Sequence, residues 1–119
     1  MIEKLTYQYL NTKLSVPAYL RVPDSSLPSK YILIEKVGGG EENLIKNSRI
    51  AIQSYADSLE EAMSLNEDVK TAMEEFTTIA TIASCRLDTD YNFTDTTKKK
   101  FRYQAVFNVN HYQEVNNEQ

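Results

Sequence analysis

The chain has no tryptophan, one cysteine, one histidine, three glycines and three prolines in 119 residues. Each scarcity removes a class of protein. A lone Cys85 cannot close an internal disulfide, so this is not a disulfide-stapled secreted module. One cysteine and one histidine, His111, cannot complete a closed zinc site, and neither a metal nor a cofactor is expected. No apolar run approaches the ~18–20 residues that span a bilayer. The segment Met1 to Thr6 lacks the zones of a signal peptide, so the chain is expected to be made in the cytoplasm. Basic residues are also short, at 13 against 17 acidic ones, for a formal charge of −4. That deficit argues against a general nucleic-acid binder and against docking on an anionic membrane.

What is present describes a globular domain. The hydrophobic fraction of 41% and the charged fraction of 25% are enough for a core and too apolar for wholesale disorder. The length fits one domain, 1–119, with a polar tail over 113–119 expected to fray. Eight tyrosines stand out. A tyrosine joins an apolar ring to a polar tip, so it suits half-buried sheet faces and subunit contacts.

Periodicity sets the elements. Ile2, Leu5 and Tyr9 recur at helical spacing over Ile2–Lys13, and Asn11-Thr12 ends that helix. Leu14 to Val22 reads as a short strand limited by Pro17, followed by a loop through Pro23 and Pro28. Lys30–Val37 is apolar on both faces and predicts a central strand. Gly38-Gly39-Gly40 then predicts a flexible turn, with Ser48–Tyr55 returning antiparallel as a hairpin with a long tip. In the second strand Ile50 and Ile52 share one face, and Arg49, Ala51, Gln53 and Tyr55 the other. Leu59, Ala62, Met63, Val69, Ala72, Met73 and Phe76 predict a long helix, interrupted only at Asn66. Ser58 with Glu61 fits a capping box at its start. A second hairpin is expected from Ile79–Phe93 and Phe101–Tyr112, with Ala83, Cys85, Leu87, Tyr91 and Phe93 on one face of its first strand. The fold class is α+β: an antiparallel, mostly two-hairpin sheet of four to five strands against one long helix plus a short N-terminal one.

Chemistry is hard to find. A Cys85/His111 pair on adjacent strands is conceivable, but a free cysteine usually packs as a small hydrophobe. Asp88, Asp90 and Asp95, or Glu41 and Glu42, lack the spacing of a calcium loop and read as solvated surface. Gly38-Gly39-Gly40 is not followed by the lysine and hydroxyl of a phosphate loop. It reads as a mobile hairpin arm, Gly38, Gly39, Gly40, Glu41 and Glu42, able to order against a neighbour. Lys98, Lys99 and Lys100 form a basic turn that solubilises its tip and discourages edge pairing. No catalytic residue emerges, and the chain is not expected to be an enzyme.

The order of these segments resembles the tail-terminator, or tail-completion, proteins of long-tailed bacteriophages and prophages. The resemblance runs from the first helix to about Tyr112. It rests on Val16-Pro17 and Val22-Pro23, on the strand Tyr31 to Val37 ending in glycines, on Ile50 to Ser58 with Ala62 beyond it, and on Arg102 to Phe107. Where commoner members carry a tryptophan or similar aromatic before the strand-to-helix junction, this chain has Tyr55. The resemblance implies a homo-oligomeric ring, typically of six copies, that caps the tail tube and joins it to the head connector or stopper protein. It implies a virion protein assembled in the host cytoplasm, with the Gly38–Glu42 arm and the Lys98–Lys100 loop as contact regions. DNA would pass through such a ring without sequence-specific binding, and six copies would carry roughly −24, which repels phosphate. Three alternatives remain: another head–tail neck or tail-assembly factor, a small ligand-binding or enzymatic α+β domain that would bring Cys85 and His111 together, or an adaptor that binds a host protein through a tyrosine-rich sheet.

Overall fold

The computed structural model describes residues 2–23, 26–42, 44–97 and 99–112. The elements in chain order are α1 (Ile2–Lys13), β1 (Ala18–Tyr19), β2 (Tyr31–Glu42), β3 (Ile45–Ala56), α2 (Leu59–Glu74), a 3-10 turn (Phe76–Thr78), β4 (Ile82–Asn92) and β5 (Phe101–Tyr112). They form one five-stranded sheet in the order β1-β2-β3-β5-β4. The expected α+β class is found, with two helices and a hairpin on either side of α2. The sheet is mixed rather than antiparallel throughout, because β1 pairs parallel to β2 through Ala18↔Ile32 and Tyr19↔Leu33.

β1 is far shorter than the strand expected over Leu14–Val22. Asn11 fixes its start: its side chain donates to Tyr7 O and Ala18 O and accepts from Ala18 N. That clamp ends α1 and aims the chain at the sheet. Pro17 cannot donate, and its carbonyl accepts from Ile32 N at 2.9 Å instead.

Both helices lie on one sheet face. Ile2, Tyr9 and Leu10 of α1 and Leu65, Val69, Ala72 and Met73 of α2 form one cluster with Ile32, Ile34, Ile50, Ile52, Ala105, Phe107 and Val109. The Tyr9 hydroxyl crosses from α1 to donate to Ala72 O at 2.6 Å. Burial raises the Tyr9 pKa above its ordinary value, with Glu75 adding to it. α2 begins as expected: Ser58 is extended at φ −137°, and its hydroxyl accepts from Glu61 N at 3.1 Å. Its buried stripe differs by a step. Met63 is 44% exposed, whereas Leu65 and Asn66 are buried.

β4 departs most from its pattern. Register shifts between Ile82 and Ser84 and between Leu87 and Thr89 break the alternation. Cys85 and Leu87 share the helix-covered face as expected, Leu87 exposed at its margin, whereas Ile82 packs on the core and Ala83, Tyr91 and Phe93, expected with Cys85, are exposed. A bulge flips every later side chain to the other face, and sequence alternation does not reveal where one falls.

Candidate assembly surfaces

The sheet face opposite the helices is organised as cross-strand rows. Reading across β2, β3, β5 and β4, one row is Leu33–Gln53–Gln104–Tyr91 and another is Gly40–Asn47–Asn110–Ser84. The row Gly38–Arg49–Asn108–Arg86 lies between the glycine row and the centre. The faces of Arg49, Ala51, Gln53 and Tyr55 are those expected from alternation.

The polar groups of this face bond to one another. Gln53 Nε2 donates to Gln104 Oε1 at 2.8 Å and to Glu35 Oε1 at 3.1 Å. Gln104 Nε2 donates to the Tyr91 hydroxyl at 2.6 Å, and the Tyr55 hydroxyl donates to Gln53 Oε1 at 3.0 Å. Arg49 donates to Asn108 at 3.2 Å and pairs with Asp88 at 2.6 Å. Asn47 reaches Asn110, which reaches Ser84. At one end the Tyr31 and Tyr55 rings stack at 4.6 Å, and Arg102 lies 4.3 Å from the Phe93 ring centre. Burial, reinforced by Tyr55, raises the Tyr31 pKa. No sequence pattern announced these rows, since they join residues up to 63 positions apart.

The structure corrects the picture of a glycine arm. Gly38, Gly39 and Gly40 are strand residues paired with Arg49, Ser48 and Asn47, and Glu41 and Glu42 pair with Lys46 and Ile45. β3 is itself paired with β5 as far as Ile45↔Tyr112. These five residues therefore form the outer strand at one end of the sheet, not a free tip. The chain reverses between Glu42 and Ile45, where Leu44 takes φ 69°, the left-handed conformation of tight hairpins. A Cβ on Gly39 would collide with the Asn47 carbonyl oxygen, whereas Gly40 has open space. β1 covers only Ile32 and Leu33, so β2 has no further partner strand from Glu35 to Glu42 among the described residues.

Lys98 lies outside the described residues. Lys99 is exposed. Lys100 is not a free charge: its Nζ donates to Ser29 O at 2.9 Å and to Asp57 Oδ1 at 2.6 Å, tying the turn to the loop before β2. The basic turn and the Gly38–Glu42 stretch lie at opposite ends of the sheet, so the two expected contact regions are not one site.

Negative charge is concentrated on α2 and its cap. Glu60, Glu61, Glu67, Asp68, Glu74 and Glu75 share this element with a single cation, Lys70. Lys70 bonds Glu67 at 2.7 Å and Asp90 at 2.9 Å, and these bonds raise its pKa. Asp90 also accepts from the buried Asn66 at 2.8 Å, which explains a polar residue in the apolar stripe. Asp88 faces Arg49 and Asp95 accepts from Thr97, so the three aspartates point to different partners. Among the described residues no three potential ligands come together as a metal site.

Cys85 and His111 are not cross-strand partners: Cys85 stands opposite Val109 and His111 opposite Ile82. Ser48 Oγ lies 2.8 Å from His111 Nε2. Burial pushes the Cys85 thiol up to about 12, the reverse of what an activated nucleophile needs.

Neither the protein-family models nor the curated proteins contain a match to this chain.

Proposed function

We propose that this chain is a structural assembly protein of the phage tail-terminator kind. It would form a ring, six copies closing on the tip of a tail tube and joining it to the head connector, and it would work in the virion after assembly in the host cytoplasm. The observation that carries the reading is a sheet left incomplete on three sides. Among the described residues helices cover one face only, and the two outermost long strands each have an open edge, β2 beyond the two residues that β1 covers and β4 along its outer side. Open edges invite pairing with another chain unless something blocks them. The resemblance in segment order adds to this.

Two further features suit a ring through which DNA slides. The uncovered face engages its amide side chains and Arg49 in internal rows, which leaves Arg86 as the exposed cation beside them. The surplus of carboxylates on α2 opposes adhesion of a polyanion. The function requires no catalytic residue and no cofactor.

Molar mass by light scattering over a wide concentration range, with and without magnesium, tests the reading. A cooperative rise to about six subunits is expected. A single-subunit mass throughout would transfer the weight to the adaptor reading. That second reading draws on the Tyr31, Tyr55, Phe93 and Arg102 cluster of the open face, and it requires one-to-one complexes without self-assembly.

A further inference from the structure

We infer that copies of this chain join edge to edge, the outer strand β2 of one copy pairing antiparallel with β4 of the next. The inference rests on the ring reading and specifies its contact. Strand polarity comes first. From β2 to β4 every neighbour in the sheet is antiparallel, so β2 and β4 of one chain run in opposite directions. A second copy set beside the first in the same orientation therefore offers a β4 antiparallel to β2, and the sheet continues along the free stretch from Glu35 onward. At Ile32 and Leu33 the edge is taken by β1, so Tyr91 and Asn92 of the next copy must turn away from the pairing. The contact is head to tail, the kind that generates rings.

Register comes next. Extending the cross-strand rows at the same level sets Gly38, Gly39 and Gly40 against Arg86, Cys85 and Ser84 of the next copy. Glycine lets a second backbone approach closely, as glycines inside a strand commonly do. The irregularities agree with this level. The bulge of β2, between Lys36 and Gly38, and the bulge of β4, between Leu87 and Thr89, lie beside each other and leave Gly38–Gly40 and Ser84–Arg86 regular. The same level makes Glu35 a diagonal neighbour of Arg86 and Lys36 a diagonal neighbour of Asp90, two pairs of opposite charge. Self-pairing of β2 about a two-fold axis at Gly39, once the bulge is counted, sets Lys36 against Glu41 and Glu35 against Glu42, one pair of opposite and one of like charge, whereas the head-to-tail register gives two pairs of opposite charge.

Cysteine cross-linking decides the matter. Gly40 and Ser84 of one chain end the same row, three strand spacings or about 14 Å apart, too far for a disulfide within the chain. With Cys85→Ala as background, Gly40→Cys combined with Ser84→Cys should give on oxidation a ladder of covalent multimers. Either single cysteine should stop at dimers. Glu35→Lys alone and Arg86→Glu alone should each weaken assembly about tenfold, and the pair together should restore it. Assembly by light scattering without a ladder would overturn the edge contact and leave the ring standing. No ladder and no assembly at any concentration would overturn both.

Discussion

Gly39 and Gly40 are adjacent on one strand, yet a methyl group has opposite consequences at the two. At Gly39 it would press on the Asn47 carbonyl, a backbone atom that cannot swing away. Gly39→Ala is expected to cost about 1–3 kcal/mol in urea unfolding, as overpacking does. Gly40→Ala, with open space around it, should stay within about 0.5 kcal/mol of the parent, as surface substitutions do. Equal losses at both positions would show that the ladder, rather than the close approach to Asn47, makes these glycines necessary. Cys85 gives a second residue-scale expectation. Its thiol stays protonated up to about 12 in the fold, against an ordinary value of 9.0. A group whose pKa rises on folding contributes fully below its unfolded value and loses that contribution as pH climbs toward the folded one. Stability should therefore fall between about pH 9 and pH 12, and Cys85→Ala should flatten that part of the profile. The raised Tyr9, Tyr31 and Lys70 act in the same direction from their ordinary values of 10.0, 10.0 and 10.5 upward, inside the same window, so the comparison is the difference between the two proteins.

At the scale of elements, α2 is held by its cap and by one polar tie to the sheet. Ser58→Ala removes the acceptor for Glu61 N and should cost about 1 kcal/mol. The tie is more demanding. Asp90 accepts from both Asn66 and Lys70, and Asn66 Oδ1 already has no partner. Asp90→Ala would leave the buried amide unpartnered at both ends, at about 1–3 kcal/mol, while Asn66→Leu with Asp90→Ala should recover part of that loss. Thermal unfolding of the single and double variants measures the coupling, and strict additivity would mean the two side chains do not act together. This pair also marks a limit of reading by pattern. The helix, its cap and the two faces of β3 followed from periodicity and one serine. Asn66 read as an interruption because the carboxylate that satisfies it is 24 positions away, on a strand whose alternation is broken by a bulge.

For the whole molecule, local signals located the four long strands and the helices, but edges and layers are properties of the assembled sheet. The glycines illustrate this. Three in a row read as a turn, since glycine punctuates most sequences that way. Here β5 holds β3 along its full length, and β3 in turn holds the glycines extended at the sheet's margin. The parallel β1 was equally hidden, because two residues carry no periodicity and Asn11 sets their position from the preceding helix. The margin has a consequence that can be followed amide by amide. β3 and β5 are flanked by strands on both sides, so their amides should exchange slowly in the free chain and the assembly alike. Between Glu35 and Glu42 the outward amides of β2 have no partner strand among the described residues, and half of that stretch should exchange quickly in the free chain. Assembly through this edge should slow those amides by at least about tenfold while β3 stays unchanged. Protection appearing instead at the Tyr31, Tyr55 and Phe93 end of the open face, with β2 still exchanging, would make the uncovered face the contact and the sheet edge a bystander.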